Sequence, residues 1–339
     1  MTPYAGIYRA LMIGFGYATY VPVLRRLLYR GTGGTSSARY CYSVWLRHAV
    51  MARNAGVWNT PQRIAELGPG DSLGIGLAAL LTGAQRYFAF DVVAHADLAR
   101  NLSILDELVS LVAARADIPD EEEFPRLKPR LDDYAFPGDL FPDDIVDACL
   151  APDRVEGLRR NLHSPRDVDP ETAQVMYVVP WLDGSDTASS GGAMESPPVG
   201  AALPGSIDMI FSQAVLEHVD DLDAAYRSML RWLAPAGFMS HQIDFKCHNT
   251  APTWDGHWAM TETVWRLTRG ARPYLINRQP CSVHMDLLEK YGFENLVMQR
   301  SAASSNLSRG DLAPEFLGLS HEDLTTSGLY CLSRPAPGV

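Results

Sequence analysis

The chain has 339 residues, 47% of them hydrophobic, and its 29 basic against 40 acidic side chains leave a net charge of −11. That length and apolar content suit one enlarged α/β domain or a core with insertions. The negative charge argues against a nucleic-acid partner, since phosphate contacts need a basic face. The five cysteines, Cys41, Cys149, Cys247, Cys281 and Cys331, are odd in number and form no CxxC pair, so a reducing, cytoplasmic compartment is expected rather than a disulfide framework or structural zinc.

Residues 1–60 read as an N-terminal helical cap broken by the Gly31–Ser37 stretch. Within it, Ala10–Leu24 is apolar and flanked by Arg9 and by Arg25 and Arg26, but it is too short to span a bilayer. The first reading is a helix packed on the domain. The second is a helix over residues 4–28 lying peripherally on the inner membrane face, with Arg25, Arg26 and Arg30 at lipid headgroups. A signal peptide is the third, and no small-residue cleavage site follows the run.

From Pro61 the pattern becomes β-α-β. Arg63–Leu67 predicts a buried strand, Gly68-Pro69-Gly70 a turn, Ser72–Leu81 a helix capped by Asp71 or Ser72, and Arg86–Phe90 a second strand ending at Asp91. Apolar residues at helical spacing predict a crossover helix over Asp97–Ala116. Residues 119–172 read as a Pro-, Asp- and Glu-rich insertion with one or two short helices, and Glu121-Glu122-Glu123 as a solvated face. Val175–Trp181 predicts a third strand, residues 184–205 a flexible loop, Ile207–Ser212 a fourth strand, Leu222–Leu233 a helix, and Phe238–Phe245 a fifth strand. An irregular acceptor-side segment over 246–282 precedes a helix at Ser282–Tyr291 and strands at Phe293–Met298 and Gly328–Ser333.

The glycines at 68, 70 and 74 let the chain turn sharply after a strand and approach a ligand closely. Their G-x-G-x-x-x-G spacing departs from the G-x-G-x-x-G of dinucleotide sites and disfavours a nicotinamide-dependent oxidoreductase. A carboxylate at Asp91, ending the next strand, can accept two ribose hydroxyls. Glu66–Gly74 resembles the first motif of class I methyltransferases that use S-adenosylmethionine (SAM). Asp208–Val219 resembles their fourth-strand motif, and Leu230–Gly237 the helix and turn before their fifth strand, with Ala236 replacing a usual glycine.

The resemblance covers residues 61–300. It implies a Rossmann-like, doubly wound α/β fold with a seven-stranded, mostly parallel sheet whose last strand is antiparallel, giving one SAM-binding domain over 61–339. It also implies that Glu66, Gly68 and Gly70 line the methionine end, Asp91 holds the ribose, Val92 touches the adenine, and Ser212 and Gln213 face the sulfonium. Asp183 is the adenine-side candidate after the third strand.

Methyl transfer to a hydroxyl needs alignment and removal of a proton. The ends of the fourth and fifth strands offer His218 and then Asp244 and His248, with His248 expected as base and Asp244 orienting it. A metal set of Asp244, His248 and His257 lacks a recognised ligand pattern, so no metal is expected. Asp244, His248 and the Ile276–His284 segment resemble a bacterial subgroup found with polysaccharide biosynthesis. By that resemblance Arg39–His48 folds over the cofactor, with Tyr42 in contact, and Asn277, Arg278 and His284 bind a hydroxylated or anionic acceptor. Trp254, Trp258 and Trp265 form either a stacking platform or core. The leading expectation is O-methylation of a small molecule or saccharide end. N- or C-methylation and non-catalytic SAM binding stand as alternatives.

Overall fold

The computed structural model describes residues 3–24, 33–166, 168–169, 172–181, 204–272 and 275–338. Its sheet has seven strands in the order β3-β2-β1-β4-β5-β7-β6. They are β1 (Arg63–Leu67), β2 (Arg86–Phe90), β3 (Val175–Val178), β4 (Ile207–Gln213), β5 (Leu233–Asp244), β6 (Phe293–Ala302) and β7 (Thr326–Pro335). β1 to β5 pair in parallel, and β7 runs antiparallel between β5 and β6. This is the doubly wound architecture with an antiparallel last strand that the sequence led us to expect.

Successive side chains of a strand point to opposite faces, and the two cores follow that alternation. Ile64, Tyr87, Ala89, Met209 and Phe211 face one core, whereas Ala65, Leu67, Phe88, Phe90 and Ile210 face the other. The first face is covered by α2 (Ala38–Asn54), α3 (Gly74–Leu80) and α4 (Leu98–Ala113), and the second by α7 (Leu222–Trp232) and α9 (Cys281–Lys290).

α2 begins at Ser37, whose side chain accepts from Tyr40 N–H, and it is buried from Cys41 to Ala52. Trp45 packs on Phe211 with ring centroids 6.0 Å apart, and His48 Nδ1 lies 2.7 Å from Ser240 Oγ on β5. Residues 1–60 therefore do not form one cap. α2 is a core helix, whereas α1 (Pro3–Ala18) packs on α8 (Glu262–Arg269) of the acceptor-side segment. Gly16 makes that crossing possible, because a Cβ there would overlap the Leu267 carbonyl.

Other boundaries shift for local reasons. α3 starts at Gly74 rather than Ser72; the Ser72 hydroxyl donates to the Thr35 carbonyl and accepts from Gly74 N–H at 3.1 Å. α4 is capped by Asp97, which accepts from Arg100 N–H at 2.9 Å. β5 begins at Leu233, which pairs with Ile207 before a register shift absorbs the Pro-Gly turn. The insertion carries α5 (Asp143–Cys149) and α6 (Pro152–Leu162). Its acidic run is not merely solvated: Glu121 pairs with fully buried Arg47 and Glu123 with Arg39, both on α2. Most of the expected loop at 184–205, and Asp183, lie outside the described residues. All five cysteines are free and buried. Among the described residues, no helix is long and apolar enough to cross a membrane.

Candidate active site

The cofactor side begins where β1 ends. Gly68 and Gly70 have φ of 63° and 74°, the left-handed region open to glycine. A Cβ on Gly68 would lie 2.7 Å from the Val215 methyls, so the turn also packs too closely for a side chain. Gly68 N–H donates to the Phe90 carbonyl at 2.8 Å and Asp71 N–H to Thr35 Oγ1 at 2.9 Å. The turn is thus tied both to the end of β2 and to the residues entering α2.

Asp91 follows β2 and is 7% exposed. Its Oδ1 accepts from Val92 N–H at 2.7 Å, while Oδ2 is buried with no hydrogen-bond partner among the described residues. Burial raises its pKa, and the backbone donors of Val92 and Val93 oppose that rise. Glu66 accepts from Tyr87 OH at 2.5 Å, and burial pushes its pKa up to about 8. The Val92 side chain is half-exposed. Ser212 Oγ is hydrogen-bonded to His241 Nδ1 at 2.8 Å, and Gln213 Nε2 donates to the Lys128 carbonyl at 3.2 Å. Tyr42 is fully buried, and its hydroxyl donates to the Ala116 carbonyl at 2.7 Å. Its polar atom therefore serves the junction of α2 with the residues after α4.

Ligand crevices in open α/β sheets lie beyond the carboxyl ends of the strands. There the structure brings His218, Asp244 and His248 together. His248 Nε2 is 3.6 Å from Asp244 Oδ2, and the His218 and His248 rings stand edge to face with centroids 5.0 Å apart. His248 and the following Asn249 both have left-handed backbones, φ 45° and 61°, in a turn closed by Thr250 Oγ1 donating to the Cys247 carbonyl at 2.6 Å. Such strain collects at functional sites. Burial works to raise the Asp244 pKa, but the hydrogen bond with His248 and the charge of Lys246 outweigh it and hold the group at about 2. Glu217, one residue before His218, is 3% exposed.

A cavity of about 300 Å³ is lined by Lys128, Arg130, Gln242, Arg300 and Tyr330 among others. Among the described residues, no acid lies within ion-pair distance of Lys128. Desolvation, followed by the charges of Arg130 and nearby cations, lowers its pKa. Sequence reading missed this wall, because Lys128 sits in the insertion and only the fold places it against Gln213.

Asn277, Arg278 and His284 do not join the cluster. Asn277 Nδ2 donates to the Leu216 and Val219 carbonyls at 2.9 and 2.8 Å, clamping the turn that carries His218. Arg278 is 6% exposed, donates to the Met260 carbonyl at 2.7 Å, pairs with Glu262 at 2.6 Å and lies over the Trp265 and Phe316 rings. His284 is fully buried against Tyr226 and Phe245, and burial lowers its pKa to about 3. Trp258 and Trp265 are core, and Trp254 Nε1 donates to the Ser304 carbonyl at 2.9 Å, so the three rings form no stacking platform.

Residues 192–240, which hold β4, α7 and the start of β5, match the model of a methyltransferase domain. A comparison with curated protein sequences returns no match. Solved structures similar to the chain include an S-adenosylmethionine-dependent methyltransferase from Mesorhizobium loti, with 12% identity, TM-score 0.38 and coverage of 84% of this chain and 97% of that one. A putative methyltransferase of the same dependence from Listeria monocytogenes has 13% identity, TM-score 0.35 and coverage of 86% and 99%. Phosphoethanolamine N-methyltransferase 2 from Haemonchus contortus has 13% identity and TM-score 0.39; 86% of this chain matches, spanning about half (53%) of that one. The domain match covers residues 192–240 and sits on a sheet whose order and direction are those expected of the class I methyltransferase fold.

Proposed function

We propose that the protein transfers the SAM methyl group to an oxygen of a small polar acceptor, such as a sugar or saccharide end. The observation that carries the reading is Asp91: a nearly buried carboxylate keeps one oxygen unpartnered beside a glycine turn. That free edge suits a pair of ribose hydroxyls. The oxygen acceptor is supported by the cluster of His218, Asp244 and His248, which supplies groups able to assist loss of a hydroxyl proton. The unpaired Lys128, with Arg130 beside it, supports an acceptor carrying negative charge. Asn277, Arg278 and His284 in this reading shape the acceptor side from behind.

The test is incubation with labelled SAM and a panel of neutral, acidic and amino sugars and their nucleotide- or lipid-linked forms, with the product atom located by NMR. Methylation of a hydroxyl oxygen of an acidic sugar, giving a methyl ether, is the expected result. A product methylated at nitrogen or carbon overturns the oxygen reading and keeps the enzyme class.

We also propose peripheral membrane contact through α1, whose side chains Ile7, Leu11 and Tyr17 are 64%, 62% and 59% exposed on one side. Co-sedimentation with anionic vesicles tests it, and equal sedimentation of wild type and Ile7→Ser/Leu11→Ser would dismiss it.

A further inference from the structure

Glu217 is the least accounted-for group in the crevice. It is 3% exposed, burial raises its pKa against the nearby backbone of Glu217 and Asp244, and among the described residues neither carboxylate oxygen meets a hydrogen-bond partner. A buried acid left in this way costs free energy unless another group takes its lone pairs. Its neighbours point to that group. One donor atom each from Glu217, His218 and His248 lies within 4.8 Å of the other two. The imidazoles are only half-buried, so the cluster opens toward the crevice, while Glu217 forms its floor. Asp244 stands 3.6 Å from His248 Nε2, where a carboxylate orients a metal-bound imidazole held through its other nitrogen. The candidate set weighed from sequence contained Asp244, His248 and His257; the fold substitutes Glu217 and His218.

We infer that Glu217, His218 and His248 bind a divalent first-row transition-metal ion, leaving one face of the ion open to the acceptor. Two imidazoles with one carboxylate suit ions of the Zn²⁺, Mn²⁺ and Fe²⁺ class, whereas Mg²⁺ and Ca²⁺ favour all-oxygen shells. Metal–ligand bonds of about 2.0–2.2 Å set donor atoms about 3–3.5 Å apart, so side-chain rotations of about an ångström close the set.

The ion's role, though not its binding, rests on the oxygen-methylation reading. A hydroxyl entering the open position binds through oxygen and loses its proton to water more readily. That oxygen forms the new O–C bond as the S–C bond breaks, with the electron pair staying on sulfur to give S-adenosylhomocysteine.

The test uses chelator-treated full-length protein titrated with Co²⁺, Zn²⁺ and Mg²⁺, followed by visible absorption and calorimetry, with S-adenosylhomocysteine binding measured on the same sample. The expected result is a Co²⁺ absorption band saturating at one equivalent, with Zn²⁺ displacing Co²⁺ and Mg²⁺ binding at least 100-fold more weakly. The near-isosteric Glu217→Gln is expected to weaken Co²⁺ binding at least tenfold. No band in protein that still binds S-adenosylhomocysteine overturns the inference, as does a band that Glu217→Gln and His248→Gln both leave unchanged. Failure of untreated protein to bind S-adenosylhomocysteine is a separate outcome and sinks the cofactor-site reading instead.

Discussion

Tyr8 donates its hydroxyl to the carbonyl of Asn249 over 2.8 Å, which bonds the first helix to the turn that presents His248. The contact spans 241 positions of sequence and is exposed, so its net worth to stability is about 1 kcal/mol or less. Its effect belongs to placement. Tyr8→Phe is expected to lower kcat about threefold to tenfold while leaving S-adenosylhomocysteine affinity unchanged. Steady-state kinetics beside calorimetry check this, and an unaltered kcat would show that the turn holds itself.

Asp91→Asn tests the cofactor grip. Hydrogen bonds to a charged acceptor contribute about 1.5–3 kcal/mol, so affinity for S-adenosylhomocysteine is expected to fall about 10- to 100-fold. The melting temperature of the ligand-free protein should change little, because Asn keeps an oxygen that can accept from Val92 N–H and the other carboxylate oxygen has no close partner among the described residues.

Glu66 makes stability depend on pH. Its folded pKa of about 8 lies above the ordinary carboxylate value of 4.5, because it is buried. The folded state therefore binds the extra proton between those values, and stability contributed by Glu66 is lost as pH rises from about 4.5 through about 8. Thermal unfolding from pH 5 to 8.5 should show that decline, and Glu66→Gln should flatten it. A slope identical in wild type and variant would refute the assignment.

Arg47 is fully buried and donates to the Pro129 and Pro119 carbonyls at 2.7 and 3.0 Å as well as pairing with Glu121. Removing one partner of such a network leaves the others unsatisfied. Arg47→Leu is expected to cost about 3–5 kcal/mol in urea unfolding. A loss below about 1 kcal/mol would mean that water replaces the guanidinium there.

Asp244→Asn should reduce kcat about 100-fold or more with unchanged cofactor affinity, since the carboxylate orients His248. Because wild-type Asp244 is held at about 2, it stays ionised across the working range. Any acid limb in the pH–rate profile between pH 5 and 8 therefore arises elsewhere, and an Asp244→Asn profile that loses that limb would contradict this.

Local chemistry was enough to read the first half of the sheet. The strand at Arg63–Leu67, the turn at Gly68 and Gly70, and the strand at Arg86–Phe90 fall where predicted, because buried strands and positive-φ glycines leave short-range marks. The sequence reading pairs Asp244 with His248 and lists His218 apart, after the fourth strand; the fold sets the His218 ring beside that pair. What stayed hidden depends on distant partners. Arg47 and His48, read from sequence as part of a segment over the cofactor, are satisfied inside the core by carbonyls from the insertion and by Ser240 on β5. Arg278 and Asn277 look like ligand contacts for the same reason: nothing nearby in sequence announces the carbonyls of Met260, Leu216 and Val219.

The segments after β5 and β6 have small apolar centres of their own, apart from the two that flank the sheet. One gathers Cys247, Ala251, Met260, Trp265, Leu275 and Ile276, the other Trp258, Leu312, Leu319 and Leu324. These patches share no residue with the two clusters that pack the sheet behind Asp91 and the glycine turn. Selection, or an engineer, could retailor which molecule is methylated here while the grip on the methyl donor stays as it was.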